Sequence, residues 1–588
     1  MTVVDEDQLL RAQLDDEQFN AASHVDGNVV VLAPPGSGKT RVLVHAAAHR
    51  VRHAEELVGY RRARVMCLTF GTDAAREMQN RMRSAPLFVP TNRMLVRNYH
   101  GLCMLLLSRY GHLLGWPRDA ALVPSPQNDS IINQAIAELG VRGVTARGVS
   151  GSISALKGRR AIPDDAVSET LTAIRERYDE ILARRFLRDF DDLILHAVSL
   201  LDQNPRISKI IHDAYPFLFI DELQDTNLLQ LDLLGRLVGP DSRVFAVADD
   251  DQMIYGWRDA HPGNIGEFIE RFATDEVILT GNYRCPPKIV EAANAVIVHN
   301  DRRRLDVMES RVEDRDGEVL IIAGRGIGDG EVVAQEVERA LSDGYPLGEI
   351  AVLAPHKFKF DEVLDALDRH GIRWVHPGGD KLAGERVVAL IRLTLRAVAG
   401  GVVEAADVSQ LAAQDDDANV AAAIQEVAAM ANPGPPRGLL SRLLAGYELG
   451  TVRKPTQDIE AIRVLATMFR KAGDDERPAD SSELAGAILL HWDRLEASAL
   501  RIEQAVKVMT SFTAKGTEYN IVILPFMNAN LVPYTPRNRE VEWDEARRLF
   551  YVALTRAEHR VVLIYDADRE RSQLLEYVLP HATEIQER

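Results

Sequence analysis

The chain has 588 residues, of which 46% are hydrophobic and 27% are charged. At about 100–200 residues per domain, this length predicts several folding units, and the composition excludes an intrinsically disordered chain. Lysine and arginine number 69 against 87 aspartate and glutamate residues, so the formal net charge is −18. That charge excludes a protein that coats DNA by bulk attraction, but it leaves binding through a local basic patch open.

Three widely spaced cysteines, Cys67, Cys103 and Cys285, are too few and too scattered for a disulfide framework, a zinc ribbon or a four-cysteine iron–sulfur site. The N-terminus is acidic and lacks the basic segment followed by an apolar segment that is typical of a signal peptide. Uninterrupted apolar runs near 18 residues are absent from the sequence. These features predict a reduced, cytoplasmic protein without a membrane span.

Short apolar runs recur along the chain, each followed by a polar loop and a helix-like stretch. Because such alternation is typical of buried parallel strands, it predicts α/β layers in two groups, roughly 29–280 and 319–565. The runs are Val29–Leu32, Val65–Leu68, Phe217–Ile220, Val244–Val247, Val319–Ile322, Ile350–Leu353, Val508–Thr510 and Ile521–Leu524.

A helical, strand-poor stretch interrupts each group. The second stretch, about 389–500, is rich in alanine and leucine, and its part 401–500 carries a local net charge of −7. The first, about 104–188, carries basic residues that, with the motif loops described below, predict a DNA-facing surface. These are Lys157, Arg159, Arg160, Arg184, Arg185 and Arg188.

A glycine-rich loop follows the first predicted strand. Residues 33–40 read APPGSGKT, and a helix-like stretch follows, which is the context of a nucleotide P-loop. Gly36 and Gly38 let backbone N–H groups approach phosphate oxygens. Lys39 would contact the β- and γ-phosphates, and the Thr40 hydroxyl would bind Mg²⁺. The alternative is a glycine turn that merely caps a helix.

Carboxylates follow two later strands. Asp221 and Glu222 come directly after Phe217–Ile220, at the edge where an open α/β sheet forms its ligand crevice. Asp221 is suited to holding Mg²⁺ and Glu222 to deprotonating a water, unless the pair is a solvated turn.

The following strand ends in the sequence DDDQMIYGWR over residues 249–258. Gln252 is placed to sense the γ-phosphate. Tyr255 and Trp257 offer faces for base stacking, and the alternative is that both aromatics pack a core.

The order of these pieces resembles the UvrD/Rep-like helicases of superfamily 1A over nearly the whole chain, in a compact form. Residues 189–193 (DFDDL) resemble the segment where the chain re-enters the first core, and the role of Asp192 stays open. The motifs that carry the resemblance are LDDEQ (14–18, Q motif), LTFGTDAAREM (68–78, Ia), NYHGLC (98–103, Ib), DELQDTN (221–227, II), 249–258 (III), NYR (282–284, IV), AKGTEY (514–519, V) and RRLFYVALTRA (547–557, VI).

The resemblance implies a role for each matched residue. Implied catalytic residues are Glu222, Asp221, Lys39, Gln252, Arg284 and Arg556, the last as an arginine finger. Implied nucleotide contacts are Gln18, Gly36, Ser37, Gly38, Lys39, Thr40, Tyr283, Arg284, Glu518 and Arg556, with Thr40 and Asp221 on the metal. Implied DNA contacts are Thr69, Phe70, His100, Tyr255 and Trp257.

The resemblance also implies a fold and an activity. The fold is α/β, with two RecA-like P-loop cores of parallel sheets flanked by helices: 1A (1–103 and 189–281) and 2A (282–388 and 501–588), carrying helical insertions 1B (104–188) and 2B (389–500). The implied activity is that of an ATP- and Mg²⁺-dependent DNA helicase or translocase that moves 3′→5′ on single strands and unwinds duplex, using ATP bound between the cores.

Departures from the family pattern leave a second activity open. Phe512 stands where the family usually has a histidine, Ala248 replaces a usual glycine, and Gly101 replaces a usual serine. In addition, the 2B insertion is short, and 32 residues follow Arg556. The alternative is a translocase subunit that needs a nuclease, repair or defence partner in order to unwind. An ATP-gated DNA-binding module without hydrolysis and an RNA motor are weaker alternatives.

Overall fold

The computed structural model divides the chain into two compact units. The first comprises residues 1–318, 537–555 and 576–581, and the second comprises 319–536, 556–575 and 582–588. The structure describes residues 6–24, 27–56, 64–84, 89–116, 121–123, 125–157, 169–185, 187–254, 263–301, 303–354, 356, 359–375, 386–401, 417–431, 434–446, 465, 467–472, 478–492, 495, 504–533 and 541–586.

The strands of the described residues number seventeen. In chain order they are β1 (Asn28–Leu32), β2 (Val65–Thr69), β3 (Met94–Asn98), β4 (Ala121–Leu122), β5 (Leu187–Arg188), β6 (Phe217–Ile220), β7 (Arg243–Ala248), β8 (Thr274–Ile278), β9 (Gly281–Asn282), β10 (Glu309–Ser310), β11 (Glu318–Gly324), β12 (Ile350–Ala354), β13 (Trp374–Val375), β14 (Val506–Thr510), β15 (Tyr519–Leu524), β16 (Ala557–Asp566) and β17 (Thr583–Gln586).

The α-helices of the same residues are numbered likewise. They are α1 (Glu6–Arg11), α2 (Asp16–Ala22), α3 (Lys39–Glu56), α4 (Thr72–Ser84), α5 (Tyr99–Tyr110), α6 (Ser125–Glu138), α7 (Ala146–Lys157), α8 (Glu169–Arg184), α9 (Phe190–Gln203), α10 (Pro205–Ala214), α11 (Leu228–Leu237), α12 (Gly263–Phe272), α13 (Pro287–Ile297), α14 (Asp329–Ser342), α15 (Phe360–Arg369), α16 (Arg386–Val398), α17 (Asp417–Ala431), α18 (Leu439–Gly446), α19 (Ser481–Leu490), α20 (Trp543–Leu554) and α21 (Gln573–Val578).

A six-stranded parallel sheet forms the centre of the first unit, in the order β3-β2-β6-β7-β1-β8. Its inner strands are apolar along their length because helices cover both faces, as the sequence predicted. Strands β6, β7 and β1 are neighbours, and the carboxyl ends of parallel neighbours lie at one edge. The P-loop, Asp221 and Asp249 therefore follow three adjacent strands at the same edge.

A seven-stranded sheet forms the centre of the second unit, in the order β13-β14-β12-β15-β16-β11-β17. The neighbours from β13 to β16, and the pair β11–β17, are parallel. All eight apolar runs singled out in the sequence lie in strands of the two sheets. The prediction of two α/β layers built on parallel strands is confirmed.

Each predicted helical insertion has an apolar core of its own. Helices α6, α7 and α8 pack around residues such as Ile132, Ile153 and Ile174. Helices α16, α17 and α19 pack around Leu395 and Leu484. Helices α5 and α16 run without a break across the positions 103/104 and 388/389 at which the sequence placed insertion boundaries.

Lys157 belongs to a buried ionic cluster rather than to a basic surface. Its ammonium nitrogen lies 2.8 Å from Asp179, 2.7 Å from Asp189 and 2.9 Å from Asp192, and its side chain is 2% exposed. The Tyr178 hydroxyl also donates to Asp189, at 3.0 Å. The prediction that counted Lys157 in a DNA-facing surface is wrong, because carboxylates 22–35 residues away along the chain surround it.

We expect Lys157→Met to lower the free energy of unfolding by about 3–5 kcal/mol, because it leaves buried Asp189 and Asp192 without their cation. Urea denaturation measures the change. Lys209→Met is the matched control, because Lys209 pairs with Asp213 on exposed α10 and such pairs contribute little. Equal stability of the two variants would contradict the expectation.

In the part of the chain that the structure describes, every helix is too short or too polar to cross a bilayer. The three cysteines are buried and unpaired with one another. Burial raises the thiol pKa of Cys67 and Cys103 above its ordinary value, which keeps both as unreactive thiols.

Candidate nucleotide and DNA site

The P-loop connects β1 to α3 in a conformation that requires its two glycines. Gly36 and Gly38 have φ values of 69° and 81°. A β-carbon at Gly36 would lie 2.8 Å from Asn282 Oδ1, and one at Gly38 would lie 2.9 Å from Gln18 Nε2. The loop is therefore held by side chains on both sides, and a substitution at either glycine would be strained.

Gln18 lies against this loop from α2. It occupies the third position of the helix in a capping box with Asp15, which fixes its backbone. Its Nε2 donates to the Ser37 carbonyl at 2.8 Å, and the Ser37 hydroxyl donates to Pro34 O at 2.7 Å. The structure thus brings the Q motif and the P-loop together, as their implied shared ligand requires.

Lys39, the first residue of α3, turns its ammonium group into the loop. The nitrogen donates to Ala33 O at 3.0 Å, to Pro34 O at 3.1 Å and to Asp249 Oδ2 at 3.0 Å. Asp249 is fully buried, so the ion pair is shielded from solvent. No separate role was predicted for Asp249 from the sequence, although it directly follows β7, the strand next to β1.

Asp221 directly follows β6, and the hydrogen-bonding capacity of its carboxylate is only partly satisfied. Its N–H donates to Leu68 O at 2.9 Å, while its buried Oδ1 has no hydrogen-bond partner among the described residues. Burial and the neighbouring charge of Glu222 raise its pKa to about 7, although Lys39 opposes the change. A bound divalent cation would reverse that shift, so this carboxylate fits the Mg²⁺ ligand that the sequence predicted.

Glu222 has the left-handed backbone conformation, with φ of 53°, which is uncommon for a residue with a side chain. The conformation starts a tight turn, and Gln224 Nε2 donates to the Glu222 carboxylate. Gln224 is itself fully buried, and its Oε1 accepts the Asp249 N–H at 3.0 Å. No role was predicted for Gln224 from the sequence. Its position two residues after Glu222 was the signal that could have indicated one.

Gln252 is a second donor to Asp249. It lies in a 3₁₀ turn at Asp250–Gln252, directly after β7, and its Nε2 donates to Asp249 Oδ2 at 2.6 Å. Asp249 therefore accepts bonds from both Lys39 and Gln252. A continuous chain of hydrogen bonds runs from the P-loop lysine through Asp249 and Gln224 to Glu222.

The segment 282–284 lies against the P-loop within the first unit. Asn282 Nδ2 donates to Pro35 O at 2.8 Å, and the Tyr283 N–H donates to Gly36 O at 2.9 Å. Tyr283 as a residue is 43% exposed. Arg284 Nη1 donates to Thr555 O at 3.3 Å. Asn282, for which no separate role was predicted from the sequence, anchors this segment.

The predicted DNA residues have different environments. Thr69 is fully buried, and its hydroxyl donates to Gly71 O at 2.9 Å, which shapes the loop after β2. Phe70 beside it is half-buried. The half-buried His100 ring packs edge-on against Phe190 at 5.4 Å between centroids. Tyr255 and Trp257 lie outside the described residues.

Two further candidates, Glu518 and Arg556, belong to the second unit. Glu518 is exposed, just before β15. Arg556 is buried, donates from Nη1 to Thr517 O at 3.2 Å, and accepts the Tyr519 N–H on its carbonyl at 2.9 Å. The predicted motifs V and VI are thereby joined at the start of β15 and β16.

Comparison with known proteins gives two matching family models. Residues 14–273 match the UvrD/REP helicase N-terminal domain, and residues 409–568 match the UvrD-like helicase C-terminal domain. The chain belongs to the UvrD/Rep helicase family. The family resemblance inferred from the ordered motifs is confirmed, and the two parallel sheets agree with the two RecA-like domains of such helicases.

Two relatives in the family match nearly the whole chain, and a third matches about half of it. The ATP-dependent DNA helicase PcrA of Bacillus subtilis is 26% identical over 94% of this chain and 83% of its own length. DNA helicase II of Escherichia coli is 28% identical over 95% of this chain and 85% of its own length. PcrA of Leuconostoc citreum is 31% identical over 49% of this chain and 40% of its own length.

Proposed function

We propose that this chain is an ATP-dependent DNA helicase that hydrolyses ATP with Mg²⁺ and moves 3′→5′ on single-stranded DNA. The relatives named PcrA and DNA helicase II support the activity. The observation that carries the chemistry is the chain of hydrogen bonds from Lys39 through buried Asp249 and Gln224 to half-buried Glu222.

The proposed chemistry assigns one task to each side chain. Lys39 would neutralise charge on the β- and γ-phosphates, and Thr40 and Asp221 would hold Mg²⁺. Mg²⁺, when bound, would neutralise phosphate charge. Glu222 would accept a proton from the attacking water. Gln252 would sense the γ-phosphate.

The remaining residues act on the nucleotide and the transition state. Arg284 and Arg556 would stabilise the charge that develops on the transferred phosphoryl group. Tyr283 would stack on the adenine, and Glu518 would bind the ribose. Within the first unit, the hydrogen bond from the Tyr283 N–H to Gly36 O supports the proposal that Tyr283 and the P-loop bind the same nucleotide.

DNA binding is proposed for Thr69, Phe70, His100, Tyr255 and Trp257. The proposed domain arrangement follows the motif order, with insertion 1B attached to core 1A and insertion 2B attached to core 2A. Base stacking on aromatic side chains tolerates any sequence, as a motor that moves along DNA requires. The half-buried Phe70 and His100 rings support this assignment.

Strand displacement tests the direction. With ATP and Mg²⁺, we expect the purified protein to unwind a duplex that carries a 3′ single-stranded tail and to leave a 5′-tailed duplex of the same sequence intact. Fluorescence release of the displaced strand measures both. Preferential unwinding of the 5′-tailed duplex would contradict the proposed polarity.

The second candidate is a translocase subunit that depends on a nuclease, repair or defence partner. Phe512 favours it, because a phenylalanine side chain cannot supply the hydrogen bond of the histidine usual at this position. DNA-stimulated ATP hydrolysis without release of either strand would select this candidate.

A further inference from the structure

Two consecutive arginines bind the acidic turn that carries Gln252. Arg303 uses its side chain: Nε donates to Asp251 Oδ1 at 3.0 Å and Nη2 donates to Oδ2 at 2.7 Å. Arg304 uses its backbone, whose N–H donates to Asp250 Oδ2 at 2.7 Å. The Arg304 side chain pairs instead with Glu276 at 3.2 Å.

The pair between Arg303 and Asp251 is buried and has two parallel hydrogen bonds. The Asp251 side chain is 3% exposed and that of Arg303 is 14% exposed. The planar guanidinium matches both carboxylate oxygens, a geometry that the point charge of lysine cannot reproduce. Arg303 therefore fixes the orientation of the turn as well as compensating its charge.

This pair lies between two parts of the proposed machinery. On one side, Gln252 follows Asp251 directly and donates to Asp249, the counterion of Lys39. On the other side, Tyr551 of α20 is buried, and α20 packs against the 250–252 turn. Burial, followed by the charges of Asp249 and Asp251, raises the pKa of Tyr551.

We propose that Arg303 is a positioning residue for ATP hydrolysis, which holds the 249–252 turn through Asp251 and keeps Gln252 on Asp249. This inference rests on the proposed function. In the sequence, one of the proposed DNA contacts, Tyr255, follows Gln252 by three residues. Arg303 thus sets how strongly DNA on that segment accelerates hydrolysis, without touching ATP or DNA itself.

The test compares ATPase kinetics of Arg303→Met with those of Arg304→Met, at saturating and at zero single-stranded DNA. We expect Arg303→Met to lower kcat with DNA about tenfold or more and to reduce the ratio of stimulated to basal rate, while KM for ATP changes less than about twofold. Arg304→Met is the matched control, because its substitution leaves the backbone bond to Asp250 in place.

A double variant separates positioning from folding. Arg303→Met leaves the buried Asp251 charge unpaired, and adding Asp251→Asn removes that charge. We expect the double variant to recover thermal stability but to keep the low stimulation ratio. Arg303→Lys, which restores charge without two parallel bonds, is expected to recover the ratio only in part.

Specific results would overturn the inference. A stimulation ratio of Arg303→Met equal to that of Arg304→Met would do so, as would a double variant that recovers stability and stimulation together. Either result leaves the proposed function intact. Wild-type protein without DNA-stimulated hydrolysis would instead overturn the proposed function and this inference with it.

Discussion

Replacing Glu222 with glutamine should abolish DNA-stimulated ATP hydrolysis, with a loss of about 10²–10⁴-fold in kcat, because glutamine cannot accept the proton of the attacking water. The substitution changes little else. Glutamine has the same shape, tolerates the same backbone, and can accept the Gln224 amide hydrogen bond through its own oxygen. Steady-state ATPase assays with saturating single-stranded DNA measure the effect.

Binding measurements distinguish lost chemistry from a lost site in Glu222→Gln. We expect fluorescent ATP analogues and single-stranded DNA to bind with affinities close to those of the wild type, since glutamine keeps the shape of the side chain and the Ser37 and Lys39 side chains bond to carbonyls of the P-loop itself. Appreciable turnover in the purified variant would refute the assignment of Glu222 as the base.

Lys39→Ala should also abolish DNA-stimulated hydrolysis, but for a different reason. The ammonium group is the implied partner of the β- and γ-phosphates, so both nucleotide affinity and turnover should fall. It is also the counterion of fully buried Asp249. Removing one partner of a buried pair leaves an uncompensated charge, at a cost of about 3–5 kcal/mol in unfolding free energy.

A second substitution separates these two effects of Lys39. Lys39→Ala with Asp249→Asn removes the uncompensated charge, so we expect thermal stability to return toward that of the wild type while hydrolysis remains absent. Thermal denaturation and ATPase assays on the single and double variants give both quantities. Hydrolysis that returns together with stability would show that Lys39 acts only on folding.

The local signals in the sequence were sufficient for eight of the thirteen strands in the two large sheets and for most of the P-loop. Runs such as Val29–Leu32 and Phe217–Ile220 are continuously apolar because their strands are buried on both faces, so the pattern is readable within a few residues. The positive φ values of Gly36 and Gly38 agree with the choice of glycine. The motif order was sufficient to identify the family.

The hydrogen-bond partners within the site were not readable in this way. Arg303 lies 52 residues from Asp251, and Asn282 lies 247 residues from Pro35. A charged or amide side chain in a sequence is compatible with solvent as well as with a distant partner. Lys157 is an example: its neighbours in the sequence are basic, whereas the side chains around it in the folded structure are acidic. Its assignment to a DNA-facing surface was wrong for this reason.

The two α/β layers, the helicase family and the residue types at the proposed ATP site could be predicted from sequence, because periodicity and motif spacing are properties of short segments. Which charges are buried, and which atoms they contact, became known from the folded structure. Strand order brings Lys39 to Asp249, and chain folding brings Arg303 to Asp251 and Lys157 to Asp189. Such pairing depends on desolvation and geometry, which arise only when distant segments pack together.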